Sequence, residues 1–147
     1  MKNKFIANIV MSEKVSANAE CDNLFNVIVL DENRWAKFDL GIFLTSNITS
    51  AKDEMFLLNL IYEDGENEMF HPLGTNIRNF SEAKKSTELI VFKDNEIDFK
   101  WDGMYTLEFR LCNRIRDINE MNIEELIAFI DESEMINSFS FVVETKK

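Results

Sequence analysis

Residues 97–112, IDFKWDGMYTLEFRLC, constrain the fold more than any other part of the sequence. From Tyr105 onward the residues alternate between an apolar and a polar set. The apolar set is Tyr105, Leu107, Phe109 and Leu111, and the polar set is Thr106, Glu108 and Arg110. A repeat of two is typical of a β-strand with one buried face and one wet face. We therefore expect the apolar set to be buried, and Glu108 and Arg110 to face solvent or a covering segment.

The residues just before this strand alternate in the same way. Ile97, Phe99 and Trp101 alternate with charged residues, and the Asp102-Gly103 pair indicates a sharp corner. In immunoglobulin-like sandwiches, a tyrosine just after such a corner donates its hydroxyl hydrogen to upstream backbone. Trp101 is expected to be a core or rim aromatic, because it has the parity of its apolar neighbours.

Further strands are predicted along the chain from the same patterns. They cover residues 4–11, 24–30, 35–45, 55–62, 67–70, 87–93 and 138–144. Strand 24–30 is nearly continuously apolar, and strand 55–62 is apolar on both faces except at Asn59, which predicts central positions in a sheet. Asp64-Gly65 predicts a hairpin after the second of these. Residues 12–23, 45–54 and 71–85 are predicted to be loops, the last because Pro72 interrupts the pattern.

One helix is predicted near the C-terminus. Asn122 and Glu125 have the spacing of a capping box, with Asn122 as the N-cap. After Asn122, apolar residues recur at helical intervals up to about residue 133. These residues are Ile123, Leu126, Ile127 and Ile130.

Seven to eight strands and one helix predict a mainly β fold, an antiparallel immunoglobulin-like sandwich. We expect a single domain over residues 1–147 with a helical insertion at about 113–137. The order of parts resembles small bacterial and prophage proteins of unassigned function that fold as one such sandwich. The similarity rests on the strand 38–44, the Tyr62-Glu-Asp-Gly turn and the Gly103-Met-Tyr-Thr-Leu-Glu-Phe strand. The helix departs from that pattern, and the resemblance assigns no functional residue.

The charge of the chain limits its partners. Its 27 acidic and 16 basic residues give a net charge of −11. Such a field repels phosphate backbones and anionic lipid surfaces, so neither direct nucleic-acid binding nor membrane binding is expected. No apolar run reaches the ~18 residues of a membrane helix, and the N-terminal run is too short for a signal peptide. We expect a cytoplasmic protein with Cys21 and Cys112 as free thiols.

Residues suited to catalysis or metal binding are sparse. His71 is the only histidine and lies in a predicted loop, so no catalytic residue is predicted. Two distant cysteines and one histidine do not suit zinc, and no other metal site or cofactor is predicted. Acidic turns could donate oxygens to calcium, although hairpin turns use the same residue types.

The sequence favours a non-enzymatic protein-interaction module that binds a protein partner, or itself, through a sheet edge or the helix. The candidate surface is Ile123, Leu126, Ile127, Ile130, Arg114 and Arg116. The helix is expected to pack on its own domain, with self-association as the alternative. The arginines are expected to pair with carboxylates of this chain. Two other functions remain open: an acidic mobile-element inhibitor that occupies a nucleic-acid-binding groove, and a small hydrolase or carbohydrate-binding module.

Overall fold

The computed structural model describes residues 5–16, 18–46, 50–80 and 87–146. This part of the chain forms nine β-strands and one α-helix. The strands are β1 (Phe5–Val15), β2 (Cys21–Leu24), β3 (Val27–Leu30), β4 (Trp35–Ser46), β5 (Ser50–Glu63), β6 (Glu68–Phe80), β7 (Thr87–Asp98), β8 (Gly103–Leu111) and β9 (Glu134–Thr145). The helix is α1 (Ile123–Asp131), preceded by a short 3-10 turn at Ile118–Glu120. The mainly β composition predicted from the sequence is confirmed.

The strands form two sheets that share one core. The four-stranded sheet has the order β2-β1-β4-β7, and the five-stranded sheet has the order β3-β9-β8-β5-β6. Neighbouring strands are antiparallel except β3 and β9, which are parallel. Aromatic rings from both sheets meet in the core: Phe5 of β1 packs edge-on against Phe56 of β5, with ring centroids 5.1 Å apart. Tyr105, Leu107 and Phe109 are fully buried there, as the alternation predicts.

The corner before β8 takes the chain from one sheet to the other. β7 belongs to the four-stranded sheet and β8 to the five-stranded sheet. Tyr105 Oη donates to the Trp101 carbonyl oxygen over 2.8 Å, and the Trp101 ring stacks on Tyr62 at 5.4 Å. Gly103 has φ +128°, where a side chain would also meet the Tyr62 ring 3.4 Å away. The positive φ therefore favours glycine at the corner, and the Trp101 and Tyr62 rings pack against it.

The Asp-Gly hairpin is also found where it was predicted, between β5 and β6. Asp64 Oδ1 accepts from the backbone N–H groups of Asn67 (2.7 Å) and Glu66 (2.9 Å). These two bonds stabilise the charged carboxylate and lower the pKa of Asp64 to about 2. Tyr62 Oη lies 3.0 Å from Asp64 Oδ2.

The prediction of one central strand at residues 24–30 is wrong. The chain leaves the four-stranded sheet after Leu24, crosses at residues 25–26, and enters the five-stranded sheet at Val27. β2 and β3 are edge strands of different sheets, so the described part of the chain has nine strands instead of seven or eight. Apolar residues on both faces of this run do not show a central strand, because Leu24, Val27 and Val29 are exposed and only Ile28 and Leu30 are buried.

Three of the predicted loops are largely strand. β1 continues to Val15, β5 begins at Ser50, and β6 extends through Pro72 to Phe80. β6 tolerates Pro72 because it is an edge strand with a bulge there: Leu58 pairs with Gly74, whereas Asn59 pairs with Pro72. β7 likewise passes its predicted end, with Asp94 in the left-handed region at a register shift opposite β4. Residues 17, 47–49 and 81–85 of these predictions lie outside the described part of the chain.

Helix α1 packs on part of the outer face of the five-stranded sheet. Its N-cap is Asn122, as predicted, and Asn122 Oδ1 accepts from Glu125 N over 2.8 Å. Apolar side chains of the helix and the sheet form a second buried group, here called the α1 cluster. Its buried members are Met55, Leu57, Cys112, Phe129 and Ile130. The helix thus packs on the parent domain, on a sheet face and not on a sheet edge.

Candidate protein-interaction surfaces

The predicted interaction stripe on α1 is divided by the packing of the helix. Ile130 is buried and Leu126 is partly buried in the α1 cluster, whereas Ile123 and Ile127 remain 60% and 41% exposed. Phe129, which was not part of the predicted stripe, is buried together with Ile130. Phe129 and Ile130 are adjacent in the chain, so the buried face is rotated towards Phe129 relative to the predicted stripe.

Two of the arginines near the helix, Arg110 and Arg116, pair with carboxylates of this chain. Arg116 lies 3.8 Å from Glu125, and Arg114 is exposed beside a small pocket of about 230 Å³ that Cys112 also lines. Arg110 pairs with Glu108 at 3.1 Å, and both side chains are largely buried. Arg110 also donates to the Ile130 and Ser133 carbonyl oxygens, where a cation suits the end of α1. The covering segment expected over Glu108 and Arg110 is therefore the end of α1.

An open cleft lies on the side of the molecule where β2 and β3 end the two sheets. It has a volume of about 410 Å³ and is called here the β3 cleft. Its walls are the end of β2, all of β3 and the beginning of β4. The lining residues are Glu13, Asn23, Leu24, Phe25, Val27, Ile28, Val29, Leu30, Asp31, Trp35, Ala36, Lys37 and Phe38. A second apolar hollow of about 280 Å³ adjoins it and shares Leu24 and Phe25.

Two strand segments beside this cleft each have an edge without a strand partner among the described residues. In β3, the carbonyl oxygens of Asn26 and Leu30 accept from β9, so the backbone groups of Val27 and Val29 point away from β9. The ladder between β1 and β4 ends at the pair Ser12 and Asp39. Residues 35–38 of β4 consequently have a strand neighbour on the β7 side and none on the other side within the described ranges.

Large apolar side chains are exposed around the cleft. Leu24 is 63% exposed, Val29 59% and Trp35 58%, and Val27 is also exposed. Such residues are common singly on a protein surface, but a contiguous group is typical of a binding site. The ionisable lining residues are Glu13, Asp31 and Lys37, and Lys37 lies 3.8 Å from Asp94. The cleft therefore combines exposed apolar side chains with two carboxylates and one lysine.

A polar network fixes the turn that connects the two strands of the cleft. Arg34, at φ +57°, donates to the Phe99 carbonyl oxygen and to Thr145, and pairs with Asp102 at 2.9 Å. Asp102 also accepts from the backbone N–H and the hydroxyl of Thr145. The Thr145 hydroxyl, followed by the Arg34 guanidinium, lowers the pKa of Asp102. The network joins the β3–β4 turn, the corner and the end of β9.

Other reactive groups lie apart from the cleft. His71 is exposed on β6, and Cys112 is buried in the α1 cluster, where burial raises the pKa of its thiol to about 11. Cys21 and Cys112 are both free. Within residues 5–16, 18–46, 50–80 and 87–146, no three side chains of the ligating types cluster as a metal ion requires. In the same residues, α1 is too short to span a membrane, and no other helix reaches that length and apolarity.

The β3 cleft was not predicted from the sequence, although one signal for it is present. Val27 and Val29 alternate with Ile28 and Leu30, but an exposed valine is indistinguishable from a buried one until the neighbouring layers are known. Comparison with known proteins gives no assignment to add to the geometry: no family model matches the chain, and no curated protein matches it either.

Proposed function

We propose that this chain is a non-enzymatic protein-binding module, and that the β3 cleft holds an extended segment of a basic partner protein. The observation that carries the proposal is that one cleft is bordered both by exposed apolar side chains and by two strand edges that have no partner in the described part of the chain. An added strand obtains affinity from main-chain hydrogen bonds and specificity from alternate side chains. β3 supplies both, through the backbone of Val27 and Val29 and the apolar surface beside them.

The charge of the cleft supports a basic occupant. Glu13 and Asp31 line it, its single lysine already faces Asp94, and the whole chain carries −11. Positive side chains on a partner strand would be attracted by this field. Trp35 offers an exposed ring on which an arginine or lysine can stack. A segment that alternates basic and apolar residues is the occupant that these features favour.

The module is inferred to be an immunoglobulin-like sandwich. Three features support this: the separate four- and five-stranded sheets, the Tyr105 bond to Trp101 at the corner, and the adjacency of β5, β8 and β9 in one sheet. The free Cys21 and Cys112 favour a reducing compartment such as the cytoplasm. The α1 insertion before β9 is the departure from that architecture.

Calorimetric titration with a designed peptide tests the function. The probe is a peptide of about six residues that alternates arginine and valine, with a glutamate–valine peptide as its control. We expect the arginine peptide to bind at least about tenfold more tightly. Raising the salt from about 0.1 M to about 1 M should weaken its binding, since the Debye length falls from about 10 Å to about 3 Å.

A pair of variants locates the binding. Val29→Lys places a cation on the open edge of β3, a common natural protection of edge strands. Ile77→Lys is the matched control, because Ile77 is similarly exposed on β6, at the opposite edge of the same sheet. Val29→Lys should abolish binding and Ile77→Lys should retain it. No binding by the wild type up to about 1 mM, or equal losses in the two variants, would contradict the proposal.

The acidic inhibitor is a second candidate, and one observation favours it. The segment around α1 carries a group of exposed carboxylates: Asp117, Glu120, Glu124, Glu125, Asp131, Glu132 and Glu134. Such a group could occupy a groove that binds phosphates. Competition with duplex DNA for a basic DNA-binding protein tests it. Displacement of DNA that is lost on exchange of three of these glutamates for glutamine supports the inhibitor, and the absence of displacement contradicts it.

A further inference from the structure

The connection between β8 and β9, which contains α1, can leave the sheet without breaking a strand pair. Leu111 and Glu134, the last residue of β8 and the first of β9, are cross-strand partners, so the chain between them closes on itself as one loop. Residues 113–117 at its beginning are exposed. Cys112 stays with the sheet, because its N–H donates to the Met55 carbonyl oxygen over 2.9 Å. The helix is therefore held by its packing and by two ends that lie side by side.

An unpartnered polar side chain lies on the sheet face where α1 docks. Asn59 of β5 is two residues from Leu57 of the α1 cluster, so both side chains point to the same face of the sheet. Asn59 is fully buried, and neither its amide nitrogen nor its amide oxygen has a hydrogen-bond partner in the described part of the chain. A buried amide without a partner has lost its hydrogen bonds to water. Asn59 therefore opposes the docked position of the helix.

The charged groups on this face give the docked helix little support. Glu108 is the cross-strand neighbour of Asn59, and its carboxylate lies 3.1 Å from the Arg110 guanidinium, with both side chains largely buried. A buried ion pair is a weak source of stability, because both charges have left water. Arg110 reaches the carbonyl oxygens of Ile130 and Ser133 over 3.5 and 3.4 Å, which is long for a hydrogen bond. These contacts hold the end of α1 only weakly.

The helix is also short and unfavourably charged at one end. α1 has nine residues, fewer than the about 12–15 at which an isolated helix is marginal in water. Only Phe129 and Ile130 of these nine are buried. Asp131 and the cap residue Glu132 place carboxylates at the C-terminal end, where the helix dipole favours a cation. Elements with few buried apolar contacts are those that open locally while the rest of a protein stays folded.

We infer that α1 is a reversible cover, which undocks from the five-stranded sheet while both sheets stay folded and thereby exposes the Cys112 thiol. The docked form predominates, because it buries Phe129 and the other members of the α1 cluster. Cys112 is free and 5% exposed in that form. The open form presents this thiol together with the apolar surface of Met55 and Leu57. The fold thus contains a thiol that is accessible in one position of the helix and hidden in the other.

Thiol labelling of the full chain in a Cys21→Ser background tests the inference. A bulky maleimide reports the exposure of Cys112, and we expect it to react slowly but measurably without denaturant. Asn59→Leu removes the unpartnered amide and should slow the labelling by at least about tenfold. Ile130→Val removes one methylene group from the docked face and should speed the labelling by about threefold or more. Circular dichroism should show that both variants keep the β structure.

Ile42→Val separates local opening from global unfolding. Ile42 of β4 is buried in the core between the sheets, outside the α1 cluster. Its variant should lower the urea midpoint and leave the labelling rate unchanged, whereas labelling through global unfolding would become faster. Labelling only in denaturant, labelling that accelerates in Ile42→Val, or unchanged rates in Asn59→Leu or Ile130→Val would overturn the inference. The assay uses no peptide and no residue of the β3 cleft, so its outcome is independent of the proposed function.

Discussion

Two groups of apolar side chains lie outside the core between the sheets, and their surroundings differ. The α1 cluster buries Met55, Leu57 and Phe129 between the helix and the five-stranded sheet. Around the β3 cleft, Leu24, Val29 and Trp35 are more than half exposed. The comparison indicates that apolar content alone does not separate a core from a binding surface. What separates them is whether the chain supplies an element to cover them.

The largest expected effect is a loss of stability at the α1 cluster, the apolar group that the helix covers. Phe129→Ala should lower the free energy of unfolding by about 3–5 kcal/mol, because it leaves a cavity in the α1 cluster where Phe129 is buried. Ile123→Ala on the exposed face of the same helix is the control and should change it by less than about 0.5 kcal/mol. Urea denaturation measures both. Equal effects would mean that the helix does not bury the Phe129 face.

The open side should respond in binding and not in folding. Trp35→Ala should weaken the arginine–valine peptide by at least about tenfold, as expected for an aromatic anchor, and leave the urea midpoint nearly unchanged. Calorimetry and denaturation of the same sample give both values. A large loss of stability with unchanged binding would mean that Trp35 stabilises the fold and does not bind the peptide, which would contradict the proposed role of the β3 cleft.

A smaller effect is expected at the start of the covering helix. Asn122→Ala removes the acceptor for Glu125 N and should lower the free energy of unfolding by about 1 kcal/mol. Asn122→Asp keeps an acceptor oxygen and is the matched control. If the alanine variant is as stable as the aspartate variant, the cap does not contribute to holding α1 on the sheet.

Acid should weaken the cleft side and the β5–β6 hairpin before it affects the α1 side. The pKa values of Asp64 and Asp102 are lowered in the folded protein, to about 2 for Asp64. A depressed pKa contributes stability above the unfolded value near 4, and this contribution is lost as the pH falls towards 2. Hydrogen exchange between these pH values should show faster opening near Asp64 and Thr145 than in the β5 and β8 strands beneath α1. Uniform protection would contradict this.

The sequence predicts the parts of the fold that depend on local periodicity. The alternation from Tyr105 to Leu111 gives the buried face of β8, and the spacing of Asn122 and Glu125 gives the start of α1. The Asp64-Gly65 pair gives the hairpin. Each of these features depends on residues that are close together in the chain, so it can be predicted without knowing the rest of the molecule.

Features that depend on strand order, including the exposed edge at the candidate site, could not be predicted in this way. Pro72 predicts a break, yet β6 continues because its partner β5 is on one side only and a bulge absorbs the proline. The apolar run that includes Val27 predicts a central strand, yet β3 is an edge. Strand order decides both outcomes, and strand order depends on contacts between residues far apart in the chain.

By itself, then, the sequence determined a mainly β chain with a late capped helix and an acidic surface, since propensity, spacing and charge are local or additive. Only the tertiary structure decided which apolar residues remain exposed. Val29 and Ile28 are adjacent and chemically similar, yet one faces the outside of an edge strand and the other the core. Their difference arises because successive side chains of a strand point to opposite faces of the sheet, and the face that carries Ile28 packs in the core between the two sheets.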